Sequence, residues 1–123
     1  MISKIDHLVL TTANADACIA FYEKLGFRAQ RTDGRLALFA GDFKINIHVK
    51  GHELEPKARH VQPGSADLCF EVSHDLAMCR AILREKGLAL ELDDVPRVGV
   101  HGKMRSLYLR DPDENLIELC HYE

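Results

Sequence analysis

Four residues carry side chains able to ligate a metal or move a proton from within apolar surroundings: His7 in "DHLVL", His48 in "INIHV", Asp67 in "ADLCF" and Glu118 in "LIELC". Glutamate is rarely buried unless it is paired or coordinates something. Strand side chains alternate between faces, so Ile117 and Leu119 share one face and Glu118 points to the other. The same parity puts His7 and Val9 opposite Leu8 and Leu10, and Asp67 and Cys69 opposite Leu68 and Phe70. Taken singly, each polar residue reads as a packed or solvated side chain. Taken together, two histidines with one or two carboxylates match the ligands a divalent metal prefers, including the facial arrangement of two His and one carboxylate. Glu118 or Asp67 beside such a metal can serve as a proton-transferring base.

The elements that must present these residues occur twice. "IDHLVLTTANADACIAFYEKLGF" reads as a strand and a helix, with Asn14 or Asp16 at the helix start and Gly26 at its stop. "ADLCFEVSHDLAMCRAILREKGL" repeats the plan with Ser73 or Asp75 and Gly87, and Cys18 falls near Cys79. Extended pieces follow each helix. In the first half they are "FRAQRT", "RLALFAG" and "FKINIHV", with Asp33-Gly34 as a hairpin turn; in the second they are "LALELD", "MRSLYLRD" and "NLIELCHY", with "DPDEN" as a turn. Two tandem βαβββ modules are expected: module one over about 1–50, a linker loop over about 51–65 and module two over about 66–123. In this alignment His7 matches Asp67, and His48 matches Glu118.

The chain of 123 residues suits a single domain, and 46% apolar with 28% charged residues suits a globular one. A net charge of -3 without a Lys/Arg run argues against nucleic acid or anionic lipid as a partner. The start, "MISKIDHLVL", is expected to be neither a signal peptide nor a membrane span. Four scattered cysteines without a C-x-x-C pair fit reduced thiols and a cytoplasmic location. "PRVGVHGKMRS" reads as a Gly-rich basic loop in which Arg97, Lys103 and Arg105 could hold a carboxylate or phosphate, and His101 belongs to it. Tyr108 offers a hydroxyl to the pocket. Cys69 and Cys120 share the site face as small apolar packing.

"IDHLVL", "FYEKLGF" and "LYLRDPDENLIEL" resemble the vicinal oxygen chelate superfamily of glyoxalase I, bleomycin resistance proteins and extradiol dioxygenases. In detail the chain is most similar to the glyoxalase-domain-containing protein 5 type, through "FKINIH", "EPKARH", "PGSADLC" and "PRVGVHG". The resemblance implies an α+β fold in which two βαβββ modules form a curved, open-barrel mixed sheet with helices on the outer face. It also implies a divalent metal (Ni, Co, Mn, Zn or Fe) and a homodimer whose sites are built from both chains. His7 and Glu118 match the family's first and last ligands. His48 stands where glyoxalase I has a glutamate, and Asp67 where many members have a histidine.

The resemblance implies a metal-dependent glyoxalase-type lyase or isomerase. Its substrate would carry vicinal oxygens, as a hemithioacetal does, and react through an enediolate, with a thiol such as glutathione as cosubstrate. His7, His48 and Glu118 would hold the metal, Glu118 or Asp67 would shuttle the proton, and Arg97, His101, Lys103 and Tyr108 would contact substrate. Three other activities stay open. They are a non-haem iron dioxygenase, a fosfomycin-type thiol transferase that uses Lys103 and Ser106 for a phosphonate, and a non-catalytic drug-binding protein.

Overall fold

A computed structural model describes residues 1–123, which divide into two compact units, Met1–Ser65 and Ala66–Glu123. The fold class is α+β, with two tandem modules that each carry their own four-stranded mixed sheet. The first module contains β1 (His7–Thr12), α1 (Ala15–Lys24), β2 (Arg28–Thr32), β3 (Arg35–Ala40) and β4 (Phe43–Val49). The second contains β5 (Asp67–Glu71), α2 (Leu76–Glu85), β6 (Leu92–Gly99), β7 (Gly102–Arg110) and β8 (Leu116–Tyr122). Strand order is β1-β4-β3-β2 in one sheet and β5-β8-β7-β6 in the other. In both, the first strand runs parallel to the last, and the remaining pairs are antiparallel. No helix is long and apolar enough to cross a membrane.

Each helix starts at a side-chain cap. Asn14 accepts from the Ala17 amide at 3.0 Å, and Asp75 accepts from the Met78 amide at 2.8 Å. Asp16, the other candidate, lies in the first turn and pairs with Arg31. Cys18 and Cys79 each follow their cap by one turn, donate their amides to its carbonyl and are buried. Gly26 and Gly87 end the helices with φ of +103° and +74°, values that cost a residue with a Cβ.

One face of each sheet is apolar. In the first module Leu10, Leu36, Leu38, Ile45 and Ile47 are buried, as are Cys18, Phe21 and Tyr22 of α1. Tyr22 meets Phe21 and Phe27 edge-on, and Phe27 meets Phe43 in the same way. In the second module Leu107, Leu109, Ile117 and Leu119 fill the matching positions, and α2 contributes Leu76, Cys79 and Leu83. Complete burial of one such side chain contributes about 1.5–3 kcal/mol. The alternation leaves the opposite face of each sheet to a mixture of polar residues, such as His7, Lys44 and Glu118, and apolar ones, such as Phe39 and Met104.

Asp33 and Gly34 both adopt positive φ, as the Asp-Gly signal predicts for a tight hairpin. The second-half strands depart from expectation. "LALELD" is not a strand: Leu88 closes the end of α2, and β6 begins only at Leu92. The stretch read as a basic loop is instead a β-hairpin of β6 and β7. Pro96 and Gly99 are what made it look like a loop, but β6 is an edge strand, where a missing amide donor costs little.

The DPDEN turn is anchored by two buried polar side chains. Asp111 accepts from the amides of Asp113 and Asn115 at 2.9 Å each and from Asn115 Nδ2 at 2.8 Å. Asn115 Oδ1 in turn accepts from the Ala66 amide at 2.8 Å, and the Leu116 amide donates to the Ala66 carbonyl at 3.1 Å. This clamp joins the start of β5 to the start of β8. Between its two anchors Glu114 is held at φ +72°. Asp111→Ala is expected to lower stability by about 2–4 kcal/mol, because it strands several buried donors. Glu114→Gly is expected to raise stability by about 0.5–1 kcal/mol by relieving the left-handed strain. Urea denaturation of the two variants checks both signs.

Candidate metal-binding faces

The pairing registers determine which side chains share a face. On β1 and β4, His7 lies opposite Lys44, Val9 opposite Asn46 and Thr11 opposite His48. All six turn away from buried Leu10, Ile45 and Ile47, so His7 and His48 share the polar face of the first sheet. They stand at opposite ends of it, separated by the Val9–Asn46 row. Asp6 Oδ1 lies 2.7 Å from His7 Nδ1, and this contact holds the Asp6 carboxyl below its ordinary range. His48 Nδ1 is buried and has no hydrogen-bond partner.

In the second module Cys69 lies opposite Glu118 on β8, and Tyr108 flanks Glu118 from β7. Glu118 Oε2 accepts from the Ser106 hydroxyl at 2.6 Å, and Oε1 accepts from the Tyr108 hydroxyl at 2.8 Å. Arg97 Nε donates to the same Tyr108 oxygen at 2.8 Å, and its guanidinium lies over the Tyr108 ring. The result is a relay from Arg97 through Tyr108 to Glu118. Burial, then the bond to Glu118, pushes the Tyr108 phenol up, so it stays a donor at neutral pH.

A β-bulge is what brings Arg97 here. Leu92 pairs with Tyr108 but Val95 pairs with Ser106, so β6 gains one residue over β7 between them. Past this shift Arg97 lies opposite Met104 and faces the same way as Ser106, Tyr108 and Glu118. Asp94 sits within the bulge at φ +53° and its carboxylate is held by Arg105. Arg105 is thereby committed to an ion pair.

The expected residues therefore separate. Glu118, Arg97 and Tyr108 form one hydrogen-bonded group. Asp67 shares their face but lies opposite Leu116, at the exposed start of β5, and Cys69 is the direct neighbour of Glu118. Lys103 pairs with Val98 and faces the other way. His101 sits in the β6–β7 turn, where its amide donates to the Tyr122 hydroxyl at 3.3 Å. No three His, Cys, Asp or Glu side chains of the chain form a group able to hold a metal ion. His7 and His48 belong to one module, Asp67 and Glu118 to the other.

The registers also correct the alignment of the modules. Ile45 and Ile117 are both fully buried, and Ile47 and Leu119 nearly so. Asn46 lies one pleat beyond the partner of His7, as Glu118 lies one pleat beyond the partner of Asp67. Asn46, not His48, is therefore the counterpart of Glu118, and His48 stands one pleat further, where the second module has Cys120. Asn46 went unnoticed because histidine was matched to glutamate by chemistry. Overlaying "INI" on "IEL" by their apolar residues would have found it.

Burial, then the neighbouring Cys120 and Glu118, pushes the Cys69 thiol well above the ordinary range despite its exposure. A raised pKa means less thiolate at a given pH. Alkylation of Cys69 by iodoacetamide at pH 8 is therefore expected to run about 10-fold or more slower than in an unstructured peptide. Glu118→Gln is expected to speed it, as peptide mapping can measure.

Comparison with known proteins places the chain among relatives along its whole length. Residues 4–119 match the family described as the Glyoxalase/Bleomycin resistance protein/Dioxygenase superfamily. A glyoxalase domain-containing protein of Mycosarcoma maydis is 46% identical over 123 residues, covering 99% of this chain and 70% of that protein. A virulence protein of Salmonella typhimurium is 44% identical over 124 residues, covering 99% of this chain and 86% of that protein. The crystal structure of that virulence protein matches with a TM-score of 0.97, 43% identity and coverage of 100% and 99%. The lactoylglutathione lyase of Agrobacterium tumefaciens shares the fold at a TM-score of 0.74 and 20% identity, covering 98% of this chain and 95% of that one.

Proposed function

The chain belongs to the Glyoxalase/Bleomycin resistance protein/Dioxygenase superfamily, and on that premise we propose that it is a divalent-metal-dependent lyase or isomerase of glyoxalase type. The metal ligands in this reading are His7 from the first module and Glu118 from the second. His48, also expected as a ligand, stands four residues along the sheet from the His7 row, about 13 Å away, too far to share one ion with it. A homodimer, in which each site draws one module from each chain, would bring His7 and Glu118 together.

His48 Nδ1, buried without a hydrogen-bond partner at the other end of the polar face of the first sheet, is left for a polar group of the substrate, since leaving such a nitrogen unpaired costs about 1–3 kcal/mol. The observation that carries the metal assignment is the contact that Asp6 makes with His7 on that face. With Nδ1 held by the Asp6 carboxylate, its Nε2 is left as the donor, as in the carboxylate–histidine arrangement of many metal sites. Glu118 fits as well, since each carboxylate oxygen keeps a lone pair beyond the one used by Ser106 or Tyr108. When bound, a divalent ion supplies Lewis-acid polarisation of two adjacent substrate oxygens.

The remaining work falls to the chain's own residues. Ser106 and Tyr108 fix the Glu118 carboxylate, whose oxygens can take a proton from one substrate carbon and return it to the next. Arg97 holds Tyr108 in the orientation that donates to Glu118. Asp67, on the same face, is the second carboxylate available for proton transfer. A substrate with vicinal oxygens, such as a hemithioacetal formed with a small thiol, suits this combination of electrophile and carboxylate base.

Elemental analysis of the purified protein, of His7→Ala and of Glu118→Ala tests the assignment. Stoichiometric nickel, cobalt, manganese or zinc is expected in the wild type, with affinity falling about 10-fold or more in each variant. Stoichiometric iron would favour a dioxygenase on the same ligands. A folded wild type with no affinity for any of these metals would sink the proposal.

A further inference from the structure

The polar face of the first sheet carries a row of positive charge that the metal reading does not use. Reading the registers across the sheet, Arg28 on β2 lies opposite Phe39 on β3, Phe39 opposite Lys44 on β4, and Lys44 opposite His7 on β1. The Arg28 guanidinium lies 5.0 Å from the Phe39 ring centroid and the Lys44 ammonium 5.9 Å from it. Two cations thus bracket one aromatic ring. Arg35 faces the same way from the start of β3, opposite Thr32.

Charge balance sharpens the point. The chain has 19 acidic and 16 basic residues. Yet no Asp or Glu stands on the strand positions of this face, which β1 fills with His7, Val9 and Thr11, and β4 with Lys44, Asn46 and His48. The facing positions of β2 and β3 are Arg28, Gln30, Thr32, Arg35, Ala37 and Phe39. Neither Arg28, Arg35 nor Lys44 has a salt bridge, whereas Lys4, Arg31 and Lys57, elsewhere in the module, each do. A cleft of about 990 Å³ opens over the face, with Arg35, Phe39, Lys44 and His48 among its walls together with Asp33 and Glu55, while Arg28 reaches the Phe39 ring from outside it. Asp6, held at His7, acts on Lys44 from one edge of the row. The like charges over the ring still repel one another, and a bound anion relieves that repulsion.

We infer that this face binds a small oxyanion, a carboxylate or phosphate carried by the substrate, on Lys44 and Arg28 with Phe39 beneath its carbon skeleton. The inference rests on reading the face as substrate-binding, but not on the metal. Charge-assisted contacts to the anion would hold the substrate beside His7, whose register partner is Lys44. Arg35 extends the positive field along the cleft and steers the anion in.

Titration of the full-length protein with succinate, and separately with inorganic phosphate, tests this by amide shifts in NMR. Saturable shifts at Arg28, Phe39 and Lys44 are expected, weakened by added salt and weakened about 10-fold or more by Lys44→Met or Arg28→Met. Lys57→Met, which removes a cation outside the row, is expected to change nothing. Tighter succinate binding identifies a carboxylate substrate, and tighter phosphate binding a phosphorylated one. Glu118→Ala separates the two readings: binding that persists there belongs to the cation row whether or not the metal assignment holds. Binding that vanishes in Glu118→Ala or survives in both Lys44→Met and Arg28→Met overturns the inference, as does the lack of saturable shifts with either anion.

Discussion

The alternation of β4 and β8 is the constraint on which the rest of the molecule depends. Each is a central strand, paired on both sides, and each buries two aliphatic residues that flank one polar residue. The core cannot release Ile45 and Ile47, or Ile117 and Leu119, without loss of several large apolar contacts. Asn46 and Glu118 therefore have no choice of face. Polar chemistry is held in place by its apolar neighbours, and the more tightly those pack, the more sharply the polar group is aimed.

Aiming a strand also requires setting its register, and in the second module that task falls to the Asp111–Asn115 clamp. The two side chains are almost fully buried and satisfy one another while reaching back to Ala66. A network of this kind specifies one arrangement because any slip leaves buried donors unpaired. The clamp makes Leu116 the partner of Asp67, and Glu118 then falls opposite Cys69 without further help. Ser106 and Tyr108 complete the orientation from β7, so Glu118 is fixed from both neighbouring strands.

Much of this was legible in the amino-acid order. The duplicated plan, the Asn14 and Asp75 caps, the Gly26 and Gly87 stops and the Asp33-Gly34 turn all follow from local chemistry, and local chemistry decides them. The apolar periodicity of "LVL", "INI", "LCF" and "LIEL" likewise announces which residues turn inward. Two features escaped because they are set by pairing between distant segments. The counterpart of Glu118 depends on where β4 lies against β1, which no property of "INIHV" alone discloses. The identity of β6 was masked by Pro96 and Gly99, residues that mean a loop in isolation and are tolerated at a sheet edge. Ser106 and Tyr108 could be named as hydroxyl carriers, but only the β7–β8 register shows both converging on one carboxylate.

The bulge in β6 has a consequence for how the second module can diverge. Leu92 stays opposite Tyr108, so loss of one residue near Asp94 would straighten the strand and leave Val95 opposite Ser106 and Arg97 opposite Met104. Arg97 would keep its face and Tyr108 its partner; what would go is the kink that Asp94 and Arg105 now brace. Chain length in this short stretch can thus vary by one residue without disturbing what accompanies Glu118. Divergence here would be written in alignments as a gap that leaves the neighbours of the carboxylate as they are.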